Sequence, residues 1–174
     1  NDFFRSTISS NSLHKMASTA WENAAIAHAR LFKKNSLDEL HLTYQIPPIN
    51  LEHIKKMTSG FGMIQFSKIN KPDINSGYTI DDNARAMVAM CQHFELSKDP
   101  SDVEYITIYL NFMNHCLQPN GGFLNYVDQE HNFTAQNQET NLEDSNGRAI
   151  WALGYLLSIS SILPKKIVDE AQLI

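Results

Sequence analysis

The sequence predicts an all-α protein, an α/α-hairpin array of the kind found in solenoids and closed toroids. Three observations predict it. Apolar residues recur at helical spacing along most of the 174 residues, few segments alternate with period two, and one polar phrase opens a helix twice. The phrase is Asp81-Asp82-Asn83-Ala84-Arg85-Ala86 and, 63 residues later, Asp144-Ser145-Asn146-Gly147-Arg148-Ala149. A glycine, two apolar residues, a carboxamide and an aromatic precede each copy: Gly62-Met63-Ile64-Gln65-Phe66 and Gly122-Phe123-Leu124-Asn125-Tyr126. Repetition at the length of a helix–loop–helix unit gathers the loops at one end. Function is sought there.

The elements follow in order. Leu13, Met16, Ala20, Trp21, Ala24, Ala27, Leu31 and Phe32 suit one helix or two short ones over residues 10–33. Pro47 and Pro48 forbid a helix over 42–48, which reads as a linker or an edge strand. Asn50 caps a short helix carrying Leu51, Ile54 and Met57, ended by Ser59-Gly60. Residues 61–80, with Gly62, Pro72 and Gly77, read as a loop. The first phrase opens a helix over about 81–96 with Ala84, Met87, Val88, Cys91 and Phe94 on one face, broken by Lys98-Asp99-Pro100. Ser101 and Glu104 have the spacing of a capping box for the next helix, whose Val103, Ile106, Leu110, Met113 and Leu117 form its stripe. Pro119-Asn120-Gly121-Gly122 ends that helix, and a polar loop over 123–140 leads to the second phrase. The helix over about 144–162 is the most apolar, with Trp151 expected in the core, and Leu163-Pro164 stops it.

Residues 1–40 form an N-terminal helical segment with linker, and residues 41–174 the α/α-hairpin domain. The chain opens without Met and stops inside an amphipathic stretch, so it is expected to be a piece of a longer protein. A net charge of −5 offers no basic stripe for nucleic acid or an anionic membrane, and no apolar run reaches membrane-spanning length. No nucleic acid and no membrane are expected as partners. Cys91 and Cys116 sit at apolar helical positions, as buried free thiols of a reducing compartment do, and the cytoplasm is the expected location. The seven His form no ligand pair, so neither metal nor cofactor is expected.

The phrase admits two readings. As structure, Asp81 and Asp144 cap helices and meet Arg85 and Arg148 four residues on, while Asn83 and Asn146 tie down the preceding loops. As function, two copies on neighbouring helices converge Asp81, Asp82, Glu143 and Asp144 on one mouth near Phe61, Phe66, Tyr78, Phe123, Tyr126 and Trp151. Carboxylates, carboxamides and guanidiniums beside rings are the set that grips a sugar. A carboxylate pair can act there as general acid and base, with Asp81 or Asp82 as one member and Glu143 or Asp144 as the other. Tyr78, Asn83, Arg85, Asn125, Asn146 and Arg148 would then bind substrate.

Four segments in order carry a resemblance: Gly62–Phe66, Gly77–Ala86, Gly121–Tyr126 and Glu143–Gly154. The chain resembles, over about residues 45–160, the helical module that follows group 1 nucleotide-sugar glycosyltransferase domains in some bacterial proteins. That module looks like the six-hairpin glycosidases, which implies a partial (α/α)6 toroid acting on carbohydrate. Residues 16–32 are similar to the last helix of such a transferase domain. Asn146 stands where the family pattern has His, which keeps hydrogen bonding and removes a proton role. Half a ring would expose its inner helices, which a homodimer could cover. The reading from another class is a non-catalytic helical scaffold or dimerisation module in which the phrase only caps and braces.

Overall fold

The computed structural model describes residues 21–32 and 47–174. The chain divides at Ile49/Asn50. Of the first part, helix α1 (Trp21–Phe32) is described, and the expected helical residues before it lie outside the described set. The second part holds α2 (Glu52–Met57), β1 (Ile64–Lys68), β2 (Lys71–Thr79), α3 (Ile80–Ser97) and α4 (Asp102–Cys116). It continues with β3 (Tyr126–Val127), α5 (Gln136–Glu139), α6 (Glu143–Ser158), a 3-10 turn (Ser160–Ile162) and α7 (Lys165–Leu173). No helix among the described residues is long and apolar enough to cross a membrane.

This architecture corrects the all-α expectation, and with it the α/α-hairpin array and partial toroid. The segment read as a loop is a β-hairpin, and the domain is mixed. The sheet runs β1-β2-β3, all antiparallel, with Phe66 opposite Asp73, Lys68 opposite Lys71, and Tyr78 opposite Val127. A register shift falls between Ile64 and Phe66, and the apolar–polar alternation of Ile64-Gln65-Phe66-Ser67 is too short to mark β1 as a strand. Pro72 is tolerated because β3 pairs only with Tyr78 and Thr79, which leaves the outer edge of β2 free at Pro72. Gly77 is required: its φ is +69°, and a Cβ there would stand 2.2 Å from the Val127 carbonyl oxygen.

The strand passes into the helix without a loop. Thr79 ends β2 and is the N-cap of α3, with its Oγ1 accepting from Asp82 N–H (3.2 Å) and donating to Asp82 Oδ2 (2.7 Å). Helix α3 packs along α4 and α6, and α7 closes against α6 and α4. The core lies among them, built from Ile80, Met87 and Met90 of α3, Ile106, Tyr109 and Phe112 of α4, and Leu156 of α6. The capping box at Ser101 does not form, because Ser101 is in helical conformation with no side-chain cap bond. Asp102 is drawn inward instead, where its Oδ2 meets His93 Nδ1 at 2.6 Å. A buried carboxylate needs such a partner, and His93 at the end of α3 supplies it.

Cys91 and Cys116 are buried free thiols. Burial pushes the Cys91 thiol up to about 12, with the Glu95 charge adding to the effect, and burial does the same for Cys116. Burial also lifts the Tyr109 hydroxyl to about 12, against a lowering hydrogen bond from Thr58. The native state therefore holds three protons that the unfolded chain releases near pH 9–10. Their contribution is complete below pH 9 and is lost as pH rises toward 12. Urea midpoints should fall steeply above pH 9. A thiol reagent at pH 8 should label neither cysteine until the protein unfolds, and prompt labelling of the native protein would contradict this burial.

Candidate functional site

Both phrase helices start at the same end of the domain, beside the loops that precede them. The two asparagines do the same work in both copies. Asn83, 0% exposed, accepts from Met63 N–H (2.8 Å) and donates to Thr79 O (2.8 Å) and Met63 O (3.4 Å). Asn146 accepts from Phe123 N–H (2.7 Å) and donates to Leu142 O (2.8 Å) and Phe123 O (2.9 Å). Each amide thus clamps both backbone groups of the residue after a glycine, and also takes the carbonyl four residues upstream. The loops match as well: Ser59 N–H donates to Gly62 O (2.9 Å), and Gln118 N–H to Gly122 O (2.8 Å). Gly62 is needed because a Cβ would stand 2.8 Å from Asn83 Oδ1 and 2.9 Å from Phe112 Cδ2.

The charged members form one ladder across α3 and α6. Asp81 Oδ2 pairs with Arg85, four residues on, and Asp81 Oδ1 lies 2.7 Å from Arg148 Nε. The Nε–H of Arg148 points at Asp144 Oδ2, 2.9 Å away, so its approach to Asp81 is an ion pair rather than a second hydrogen bond. The Asp144 hydrogen bond, followed by the charges of Asp81 and Asp144, raises the Arg148 guanidinium above its ordinary value. Arg85 also stands 3.6 Å from Asp82 Oδ1, so Asp82 faces both Arg85 and Thr79. Glu143 is exposed at the start of α6, its N–H donating to Asn141 Oδ1 (2.7 Å) and its Oε2 accepting from Asn141 Nδ2 (3.3 Å).

Asn125 and Tyr78 are placed inward. Asn125 caps the other copy's helix: Ile80 N–H donates to its carbonyl (3.0 Å) and Asp81 N–H to its Oδ1 (3.2 Å). Tyr78 is buried, its hydroxyl accepting from Ser59 Oγ (3.2 Å) and its ring edge-on to Phe61. Convergence of the two phrases is therefore real. What converges is a ladder in which two guanidiniums, Arg85 and Arg148, serve three carboxylates, Asp81, Asp82 and Asp144, while Glu143 has Asn141 as its partner. Asp81 and Asp144 both lie within 3 Å of one Arg148 nitrogen, so a guanidinium fills the space where a glycosidic oxygen and water would have to enter.

No protein-family model matches this chain, and no curated protein does. The site stands on its own geometry.

Three features escape a reading of the sequence. Asn137 is a buried hub whose Oδ1 accepts from Asn125 N–H (2.7 Å) and Tyr126 N–H (2.9 Å), while its amide donates to Tyr126 O (2.8 Å) and Thr134 O (3.1 Å). Nothing in the polar run around it distinguishes it. A layer of rings, Phe61 stacked on His131 (3.7 Å between centroids) and His115 stacked on Phe133 (5.0 Å), joins three separate segments. Ser97, His93 and Asp102 supply the residue types of a nucleophilic triad, yet serine and carboxylate both approach Nδ1 and leave Nε2 without a nucleophile. Among the described residues no three His, Cys, Asp or Glu side chains group as a metal site would need. A hollow of ≈ 200 Å³ between α4 and α7 is lined by Leu110, Asn111, Asn114, Glu170, Leu173 and Ile174, none of them a member of the phrase.

Proposed function

We propose that residues 50–174 form a non-catalytic helical scaffold in which the twice-used phrase caps and braces helices, and that the domain works by presenting a surface to a partner, a second copy of the chain included. The observation that carries this reading is the paired clamp. Asn83 and Asn146 spend their amides on the same two backbone groups of successive loops, and Arg148 is wedged between the carboxylates of both phrases. Groups committed in this way brace a fold. A general acid and base would instead need open carboxylates flanking a cleft.

The test is Asp82→Ala with Asp144→Ala, assayed for glycoside hydrolysis, glycan-array binding and unfolding. The scaffold reading expects no hydrolysis by either protein, unchanged array signals, and a stability loss of about 1–2 kcal/mol from a lost cap partner and a surface ion pair. Hydrolysis by the wild type that disappears in a still-helical variant would overturn it. One observation favours a second reading, sugar binding without cleavage. Phe61, His131, His115 and Phe133 form a partly exposed ring layer at the loop end, and ring faces of this kind take the C–H faces of sugars. Phe133→Ala should then abolish glycan binding with the fold intact.

A further inference from the structure

The sequence holds two Asn-Gly dipeptides, Asn120-Gly121 and Asn146-Gly147, and the fold treats them in opposite ways. Asn is a thermolabile residue, and a following glycine, having no Cβ, leaves the backbone nitrogen between them unshielded. Space does not separate the two. A Cβ added at Gly121 or at Gly147 would meet nothing within 4 Å. What differs is how each carboxamide is held. Asn146 Oδ1 accepts from Phe123 N–H, its Nδ2 donates to Leu142 O and Phe123 O, and Gly147 is fixed in the helical backbone of α6. Its Cγ cannot reach the Gly147 nitrogen without breaking all three bonds.

Asn120 is exposed on the turn that follows α4. Its Oδ1 accepts from Gly122 N–H at 3.0 Å, an Asx turn that folds the side chain back over the Gly121 peptide. Gly121 itself sits at φ +83°, a conformation that keeps a side chain from being there to block the approach. Its N–H donates to Gln118 O (2.9 Å) on an exposed turn, where water can replace the bond.

We propose that Asn120 is a site of spontaneous covalent modification, reacting with water to give aspartate and isoaspartate with loss of ammonia. The Gly121 nitrogen gives up its proton and attacks Asn120 Cγ, and a five-membered succinimide forms as the Cγ–Nδ2 bond breaks. Nδ2 leaves as ammonia, carrying the proton that the Gly121 nitrogen lost. Water then adds across one of the two ring C–N bonds. Opening at Cγ gives aspartate; opening at the Asn120 backbone carbonyl gives isoaspartate. Gly122 N–H already donates to Oδ1, the oxygen on which negative charge develops during the attack, so the loop supplies its own stabilising donor.

The modified turn stands directly before the second clamp. Gln118 N–H donates to Gly122 O (2.8 Å), and Leu117 pairs with Phe123 across the base of the turn. Phe123 is the residue that Asn146 grips. Isoaspartate adds a methylene to the backbone and a carboxylate to the loop, which misaligns that pairing. Ageing therefore loosens the second clamp.

Incubation in mildly alkaline buffer, followed by peptide mass mapping and methyltransferase labelling of isoaspartate, tests the site. In the native protein Asn120 should convert about 100-fold faster than Asn146, which must first break three bonds of ordinary strength. In urea the two dipeptides, identical in sequence, should convert at nearly equal rates. The aged wild type should unfold at a lower urea midpoint than the fresh protein. Asn120→Gln, whose side chain is too long for the five-membered ring, should age with its midpoint unchanged. An Asn146 that keeps pace in the native protein, or an Asn120 that converts in urea and stays intact in the native protein, overturns the site. Conversion of Asn120 with no fall in midpoint overturns the loosening of the second clamp.

Discussion

Replacing Asn83 by alanine should lower stability by about 3–5 kcal/mol. The side chain is fully buried, and its loss leaves Met63 N–H without its acceptor and removes a second donor from the Thr79 carbonyl, which keeps its helical bond, and the amide donor from the Met63 carbonyl. Each orphaned buried group costs about 1–3 kcal/mol, and the vacated volume adds to that. Asn146→Ala makes the internal comparison. The bonds are the same, but Asn146 is only partly buried, so water can replace some of them and a loss of about 1–2 kcal/mol is expected. Urea unfolding followed by helical circular dichroism measures both. Against a total of about 5–15 kcal/mol, the Asn83 variant should be visibly close to unfolding. Two variants of equal and small effect would show that the clamps are incidental.

Gly77→Ala should cost a comparable amount, about 3–5 kcal/mol, for a steric reason. At φ +69° an L residue already pays about 1–2 kcal/mol. The new methyl would stand 2.2 Å from the Val127 carbonyl oxygen and 3.2 Å from Asp128 Cα. Both are backbone atoms, so neither can move aside as a side-chain tip would, and β2 must part from β3. Gly121→Ala is the control. It shares the positive φ, at +83°, but its Cβ would meet nothing, so only the conformational cost should appear. Equal losses at both positions would mean that the clash is relieved cheaply.

These two residues also mark what the sequence disclosed. The phrase helices, their connecting helix and the convergence of both phrases at one end were legible because 3.6-residue periodicity and repetition are local signals. The hairpin was not, because β1 alternates over only four residues, and Pro72 and Gly77 have turn chemistry unless pairing partners are known. The phrase residues stand out in the sequence, whereas their partners are tertiary facts. That Arg148 reaches Asp81 as well as Asp144, or that Asn83 bonds Met63, cannot follow from spacing along the chain. Trp151 shows the same limit: its position predicted burial, and its exposed face became visible only when α6 was set beside α3.

The cap that Asn125 places on α3 has a consequence in time. The first turn of α3 is completed by the Asn125 carbonyl and side chain, which lie some 45 residues further along the chain. A ribosome delivering the chain from its N-terminus exposes the apolar stripe of α3 before the residue that seals its end exists. The first copy must wait, half-made, for the second. Maturation of this domain is then a single late event, and a nascent chain released before residue 125 should be prey to proteases that spare the finished one.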